Sequence, residues 1–591
     1  MTPRAPLRPL TRILKARESG ENPDANRRDH LHRQHEAMRD RMHQGANARL
    51  LVLAVCFLAA FCIVGFRMSI LAASKPEEPR VATSGPAILS TRADIVDRDG
   101  RVLATNLVTN SLYAHPHGIV DPAAAARGLA RIFPDLEEEA LLRRLTSGAR
   151  FIWLRRYISP EQEQLVHDLG EPGLLFGPRE MRLYPNGALA SHILGGAGFG
   201  QEAVNAAEII GVAGVEAWFD DTLRDPVRDG APLALSIDLS VQAAVEQVLA
   251  SVMVIMNVRG ASAVLMDVHT GEIRAMASLP DFDPNARPLP IAEGDQADSP
   301  LFNRAVQGVY EFGSVFKVFT VAQALQEGLV NPATWIDTME PLQINGFSIS
   351  DFRSHGPRQS VTEVMVHSSN IGTARIARMI GAERQQHFLE RLGFFRPTLV
   401  EMAEGPLARP LLPRRWGDLA TMTISYGHGL STSPLHLAAG YASVVNGGTL
   451  IRPTLLRQDG PQNGERIVSA TVSRQIRGML RAAVTEGTAR LGDVPGYAVG
   501  GKTGSADKPR STGGYYEDRV LSTFASVFPV HAPRYVLVVT LDEPEIVALG
   551  EVRRTAGWTA VPVAAEVIRR AAPLLGLRPE IAAYQVSAAL E

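Results

Sequence analysis

The sequence predicts an α+β protein carried on one apolar helix near its N-terminus. Three observations lead there. A single uncharged run lies within the first eighty residues, and helical and alternating patterns are mixed behind it. The C-terminal part reads helix, hairpin, long helical stretch, three strands and closing helix, the order of an antiparallel sheet flanked by helices.

At 591 residues the chain is too long for one ordinary domain. Its net charge of −2 implies no basic surface, so no nucleic-acid partner is expected. Of 60 basic residues only five are lysine: Lys15, Lys75, Lys317, Lys502 and Lys508. Where arginine is so strongly preferred, a retained lysine invites a chemical reason, because lysine can lose its proton in a buried site and guanidinium cannot.

Residues 1–49 hold eleven Lys/Arg against six Asp/Glu and form a basic tail. Its His-rich "DHLHRQHEAMRDRMH" reads as a solvated, partly helical basic tail, since no Cys or Asp/Glu cluster completes a ligand set, so no metal is expected there. "LLVLAVCFLAAFCIVGF", extended by "RMSILAA" across Arg67, predicts a transmembrane helix over 50–73. By the positive-inside rule the tail is cytosolic and everything after Ala73 lies outside. Cys56 and Cys62 both fall in the span, so the exported part has no disulfide and is held by packing.

A polar, Pro-containing linker follows, then "RADIVDRDGRVLATN", a hairpin around Asp99-Gly100. Residues 121–170 read as helical, the last helix capped by Ser159 with Pro160 at its first position. This α+β segment, 74–230, has no constellation of catalytic groups. From 231 to 575 a second α+β domain is expected: a strand at "LALSID", a helix at "LSVQAAVEQVLASVM" and a hairpin turning at Thr270-Gly271. A largely helical 305–450 follows, then strands at "YAVGGKTG", "STFASVFP" and "RYVLVVTLDEP", and a helix ending in glycine. Residues 576–591 are a tail.

"GYAVGGKTGSA" (496–506) fits two incompatible motifs. Gly496, Gly501, Lys502 and Thr503 match the phosphate loop of nucleotide hydrolases. That loop needs an apolar strand before it and a helix after it. "RLGDVPG" is not such a strand, "TGSADKPRSTGG" cannot be such a helix, and the segment lies outside the cytosol. Asp542-Glu543 is then a strand end entering a turn, not a magnesium site. The other motif is Lys-Thr-Gly on a strand.

Ser314 precedes Lys317 by three, which puts both on one helical face within "GSVFKVFTVAQALQEG", apolar nearly all round. A serine at a buried helix start lies near backbone N–H groups, and a lysine in apolar surroundings loses its proton readily. Ser505-Ala506-Asp507-Lys508 repeats the spacing, but Pro509 and the neighbouring glycines forbid a helix there. Ser368-Ser369-Asn370 precedes another amphipathic helix and by itself reads as a cap. Ser-x-x-Lys, then Ser-x-Asn, then Lys-Thr-Gly, in that order, is the triplet of penicillin-recognising acyl-transferases.

With "RADIVDRDGRVLA", "RLYPNGALASHILG", "GVAGVEAWFD", "NRAVQGVYEFGSVFK" and "VGGKTGSADK" beside that triplet, the chain resembles the class B penicillin-binding proteins from the membrane span to about residue 575. Among them it looks most like the division-specific peptidoglycan D,D-transpeptidases. The resemblance implies a non-catalytic, dimerisation-type pedestal and a transpeptidase domain with a five-stranded antiparallel sheet flanked by helices. Arg92, Asp97, Arg98, Gly100, Arg182, Tyr184, Gly187, Gly211, Gly214 and Glu216 match the pedestal's structural signature. It implies Ser314 as nucleophile, Lys317 as its base, Ser368 as proton relay and Asn370 as holder of the donor amide. Lys502, Thr503, Gly504 and Ser505 would form the substrate strand, with the N–H groups of Ser314 and Ser505 as oxyanion hole. Phe312, Ala93 and Ser505 depart from the residues common at those positions, each keeping the backbone role.

The reaction implied is acyl transfer from a D-Ala–D-Ala donor peptide to an amine of diaminopimelate type, without metal or cofactor and open to β-lactams. By resemblance the partners are a polytopic glycosyltransferase and other division-complex membrane proteins, and the place is the septum of the inner membrane. The rival readings are an elongation-specific transpeptidase and a non-catalytic scaffold. A β-lactamase lacks its water-activating glutamate here and has no use for a pedestal.

Overall fold

The computed structural model describes residues 53–67 and 92–580, apart from 204, 205, 345, 511 and 512, together with positions 14, 15, 17–20 and 28. The chain divides into two units, Met1–Leu89 and Ser90–Glu591. In the first, residues 53–67 are helical with exposed side chains, Phe57, Leu58 and Phe61 among them. No described helix is long and apolar enough to cross a membrane. The flanks of the expected span, 50–52 and 68–73, lie outside the described residues, as do most of the basic tail and positions 581–591.

The second unit opens with the expected hairpin: β1 (Ile95–Val96) pairs antiparallel with β2 (Val102–Ala114). Helices α1 (Pro122–Ile132) and α2 (Glu138–Leu145) follow. Residues 121–170 are not all helical, however. β3 (Ile152–Ile158) interrupts them and pairs with β2. In "IWLRRYI" Ile152, Leu154 and Ile158 are buried on one face, and the exposed Arg156 interrupts that alternation. α3 (Pro160–His167) has the predicted cap, Ser159 accepting from Gln162 N and Gln162 reaching back. β4 (Leu174–Leu183) pairs along β2, and β5 (Leu233–Ala234) lies parallel to β1.

The signature residues of this part converge on one carboxylate. Glu216 is fully buried; Oε2 accepts from Arg92 Nε at 2.7 Å, and Oε1 from Arg182 Nε at 2.7 Å and Tyr184 Oη at 3.2 Å. Each buried charge is thereby paired and hydrogen-bonded, the condition under which burial is tolerated.

Beyond lie α4 (Leu239–Ile255), the hairpin β6 (Gly260–Asp267) and β7 (Ile273–Leu279), and α5 (Lys317–Gln326). They continue with α6 (Val361–His367), α7 (Asn370–Ile380), α8 (Pro434–Val445) and α9 (Ala470–Thr485). The chain closes with β8 (Gly500–Pro509), β9 (Tyr515–Phe528), β10 (Tyr535–Asp542) and α10 (Ala560–Leu574). Short strand pairs at Trp335–Asp337 with Arg358–Ser360 and at Leu342–Ile344 with Phe347–Ile349 break the expected helical stretch.

Five strands form one antiparallel sheet in the order β8-β9-β10-β6-β7. Alternate side chains feed two cores. Val264, Met266, Val536 and Val538 face α5, α8 and α9, whereas Leu265, Leu537 and Val539 face α4 and α10. Burial on both faces makes these strands continuous apolar runs, which is why they stand out in the sequence.

Replacing Glu216 by Ala strands two buried guanidinium groups and is expected to cost about 3–5 kcal/mol. Denaturant unfolding of the purified chain measures this; a loss below about 1 kcal/mol would mean the network is not paired as described.

Candidate active site

Ser314 sits in a 3₁₀ turn, Gly313–Phe316, that runs directly into α5. The expected helix is thus tightened at its start, and in a 3₁₀ turn side chains three apart eclipse, so Ser314 and Lys317 keep one face. Two close approaches hold the turn. A Cβ on Gly504 would stand 2.2 Å from the carbonyl oxygen of Phe312, so only glycine lets β8 lie against it. On the other side Gly313 N donates to Gly427 O at 3.1 Å, and a Cβ on Gly427 would stand 2.0 Å from Gly313 O. Tyr441, buried in α8, donates from its hydroxyl to Val315 O at 2.8 Å.

Lys317 and Lys502 are both fully buried, and their amines meet at one hydroxyl. Ser368 Oγ accepts from Lys317 Nζ at 3.1 Å and from Lys502 Nζ at 2.9 Å. Lys317 Nζ also donates to Ser368 O and, at 2.7 Å, to Asn370 Oδ1. No hydrogen bond joins it to Ser314 Oγ among the described residues. With both lone pairs of Ser368 Oγ occupied, its O–H is left to donate outward.

Ser368 links α6 to α7 in a left-handed conformation, φ 63°, and Asn370 is the first residue of α7. Ser369 caps that helix through Gly372 N at 2.9 Å, so the cap reading and the site reading apply to neighbouring serines. Asp351 fastens the same helix start. Its carboxylate accepts from Asn370 N at 2.5 Å, Ile371 N at 3.0 Å and Ser369 Oγ at 2.7 Å. Asn370 Nδ2 donates to Ser350 O at 3.1 Å, so its amide is held at both ends.

Burial drives the Lys317 amine well below the ordinary lysine range; the Lys502 charge adds to this and the Asp351 carboxylate opposes it. Burial alone brings Lys502 to about 7. Thr503, beside Lys502 on β8, shares a hydrogen bond of 2.7 Å with Thr488 Oγ1, and Ser505 Oγ accepts from Ala556 N at 2.9 Å. Lys508 belongs elsewhere. It binds Asp542 and Glu543 at 2.7 Å each, which makes that acidic pair the end of β10 and the partner of a lysine, as a strand terminus should be.

The structure joins Lys317, Ser368, Asn370 and Lys502 by hydrogen bonds, with Ser314 one turn before Lys317 and Thr503, Gly504 and Ser505 following Lys502 on β8. Asp351, Thr488 and Gly427 also build the site and were not singled out in the sequence. Nothing local marks Asp351, which precedes its partners by 18 to 20 residues.

A serine beneath which two buried amines share a hydroxyl, on a sheet flanked by helices, defines a serine acyl-transferase. The profile "Penicillin binding protein transpeptidase domain" matches residues 261–569, and "Penicillin-binding Protein dimerisation domain" matches 87–226. The chain is 35% identical over 547 residues to the probable peptidoglycan D,D-transpeptidase FtsI of Caulobacter vibrioides, covering 90% of each chain. With the peptidoglycan D,D-transpeptidase FtsI of Escherichia coli K12 it shares 28% identity over 480 residues, 78% of this chain and 80% of that one. The crystal structure of penicillin-binding protein 3 from Mycobacterium tuberculosis, complexed with aztreonam, is similar at a TM-score of 0.61 and 25% identity. That likeness covers 83% of this chain and 97% of the crystallised one. The chain belongs to the penicillin-binding protein transpeptidase family.

Gly504→Ala would push the Ser314 turn away from β8. Displacement on the scale of 1 Å is expected to slow acylation by penicillin about 100-fold. Stopped-flow acylation tests this, and a rate within threefold of wild type would show that the turn tolerates the shift.

Proposed function

We propose that this chain is a serine-type peptidoglycan D,D-transpeptidase that cross-links stem peptides and is acylated by β-lactams. The observation that carries the reading is the single hydroxyl of Ser368 shared by two buried lysine amines next to the Ser314 turn.

In the first half-reaction Lys317, neutral once it gives up one of its three donor contacts, takes the proton of Ser314 Oγ as that oxygen attacks the carbonyl carbon of a D-Ala–D-Ala bond. The N–H groups of Ser314 and Ser505 receive the oxyanion. The C–N bond breaks, the departing D-alanine nitrogen takes a proton through the outward O–H of Ser368, and an acyl-enzyme remains on Ser314. Lys502 and Thr503 hold the donor's carboxylate, the ammonium supplying charge and the hydroxyl a hydrogen bond. Asn370 would orient the donor amide by exchanging its contact with Ser350 O for one to substrate. In the second half-reaction an amine of diaminopimelate type displaces Ser314. No step calls for a metal or cofactor.

The relatives named FtsI support a division role at the septum over elongation, and the matched dimerisation profile supports a pedestal over 74–230 below a transpeptidase domain over 231–575. The run 50–73 would anchor the chain in the inner membrane, with residues 1–49 in the cytosol and the catalytic domain in the periplasm. A polytopic glycosyltransferase and other division-complex membrane proteins are the partners this arrangement serves.

Intact-mass analysis after penicillin is expected to show one adduct on wild type and none on Ser314→Ala or Lys317→Arg. An adduct on Ser314→Ala would mean another nucleophile. The pH profile of acylation should be bell-shaped. Lys317 must be neutral, so the rate rises with pH through its lowered pKa; Lys502 must be charged, so the rate falls as pH passes about 7. In Lys502→Arg the guanidinium stays charged and the alkaline limb should disappear; its persistence would assign that limb to another group.

A further inference from the structure

Around the Ser314 turn, the side facing Ser368 is occupied by two lysine amines. The other side is built from different residues. Glu311 lies three positions before Ser314, and its carboxylate is fixed at both oxygens: Oε1 accepts from Gly429 N at 2.8 Å and Oε2 from Tyr515 Oη at 2.9 Å. His428 lies between Gly429 and Gly427, the residue whose backbone abuts Gly313, so it belongs to the same seam that holds the turn. The ring is flanked by those of Tyr426 and Tyr515, at 5.4 and 5.9 Å between centroids. Its Nδ1 is shielded from solvent and makes no hydrogen bond among the described residues. Asp507 follows Thr503 and Ser505 at every second position of β8, so it shares their face of the strand.

We infer that Glu311, His428 and Asp507 form an acceptor subsite, which binds the primary ammonium of the incoming peptide and takes its proton onto His428. This rests on the transpeptidase reading and extends it to the half-reaction that the Ser-x-x-Lys, Ser-x-Asn and Lys-Thr-Gly residues leave unexplained.

The chemistry requires such a place. An alkyl amine is an ammonium in water near neutral pH and cannot attack until it loses a proton. The charged Lys502 repels a third cation, whereas two carboxylates attract one. The groups that face the imidazole are Glu311, Asp507, Lys317, Tyr426 and Tyr515. Burial lowers the imidazole's pKa, with Lys317 adding to this, and outweighs Glu311, Asp507 and the Tyr426 backbone, which raise it, so His428 is held neutral and able to accept a proton. Burial also raises the carboxyl of Asp507, with His428 opposing.

The protons balance. The ammonium carries three: one passes to His428, leaving a free amine whose nitrogen attacks the acyl carbon. A C–N bond forms and the bond from carbon to Ser314 Oγ breaks. The nitrogen's second proton reaches Ser314 Oγ through Lys317, and the third remains on the new amide. His428 then returns its proton to solvent.

The test measures how the acyl-enzyme divides between an amine and water. The purified full chain in detergent receives a D-alanyl thioester as donor and D-alanine as acceptor probe. In wild type the ratio of aminolysis to hydrolysis should rise with pH as His428 loses its proton. His428→Gln should lower that ratio at least tenfold at pH 7 and flatten its pH dependence. Asp507→Asn, at the accessible end of β8, should raise the D-alanine concentration for half-maximal aminolysis several-fold. A purely structural histidine would slow acylation and leave the ratio where it was. An unchanged ratio in His428→Gln overturns the subsite while the acyl-enzyme reading stands; absence of any acyl-enzyme in wild type overturns both.

Discussion

Two buried amines that share one hydroxyl are the constraint on which this structure turns. Ammonium groups at that separation repel, and burial strips each of the hydration that would offset the repulsion. The arrangement is stable only if charge leaves it, so at least one amine is deprotonated near neutral pH. The packing of α5, the α6–α7 turn and β8 thus sets the protonation state from which acyl transfer begins. Asp351 works against this by a smaller amount, because its carboxylate is spent on the start of α7.

Lysine usage made the pair visible before any coordinates. In a chain that writes its positive charge as arginine, Lys317 is the one whose proton must be removable, and it shares its burial with Lys502. Lys508, the third outside the N-terminal region, follows a different logic: it joins the end of β8 to the end of β10. Spacing alone could not separate it from Lys317, since Ser505 precedes it by three. Pro509 and the strand did.

Much of the fold was legible for the same local reasons. The central strands are buried on both faces and read as unbroken apolar runs, and the hairpins announce themselves at Asp99-Gly100 and Thr270-Gly271. What escaped was non-local or masked. β3 breaks its alternation at the exposed Arg156, and the short strand pairs near 335–360 are too brief to show a period. In the site the three motifs were readable, whereas Asp351, Gly427 and His428 act through contacts that only the folded chain creates. The 3₁₀ start of α5 was also invisible, because it lies where the Phe312 carbonyl packs against Gly504, a neighbour distant in sequence.

That seam has an evolutionary side. The inner face of β8 is committed twice, once to the buried amine of Lys502 and once to the missing side chain of Gly504, so substitution there is costly. The outer face carries Ser505, which is exposed and asks only that an oxygen meet Ala556 N. At Ser505 itself, a side-chain change alters the shape offered to an inhibitor without unseating the nucleophile.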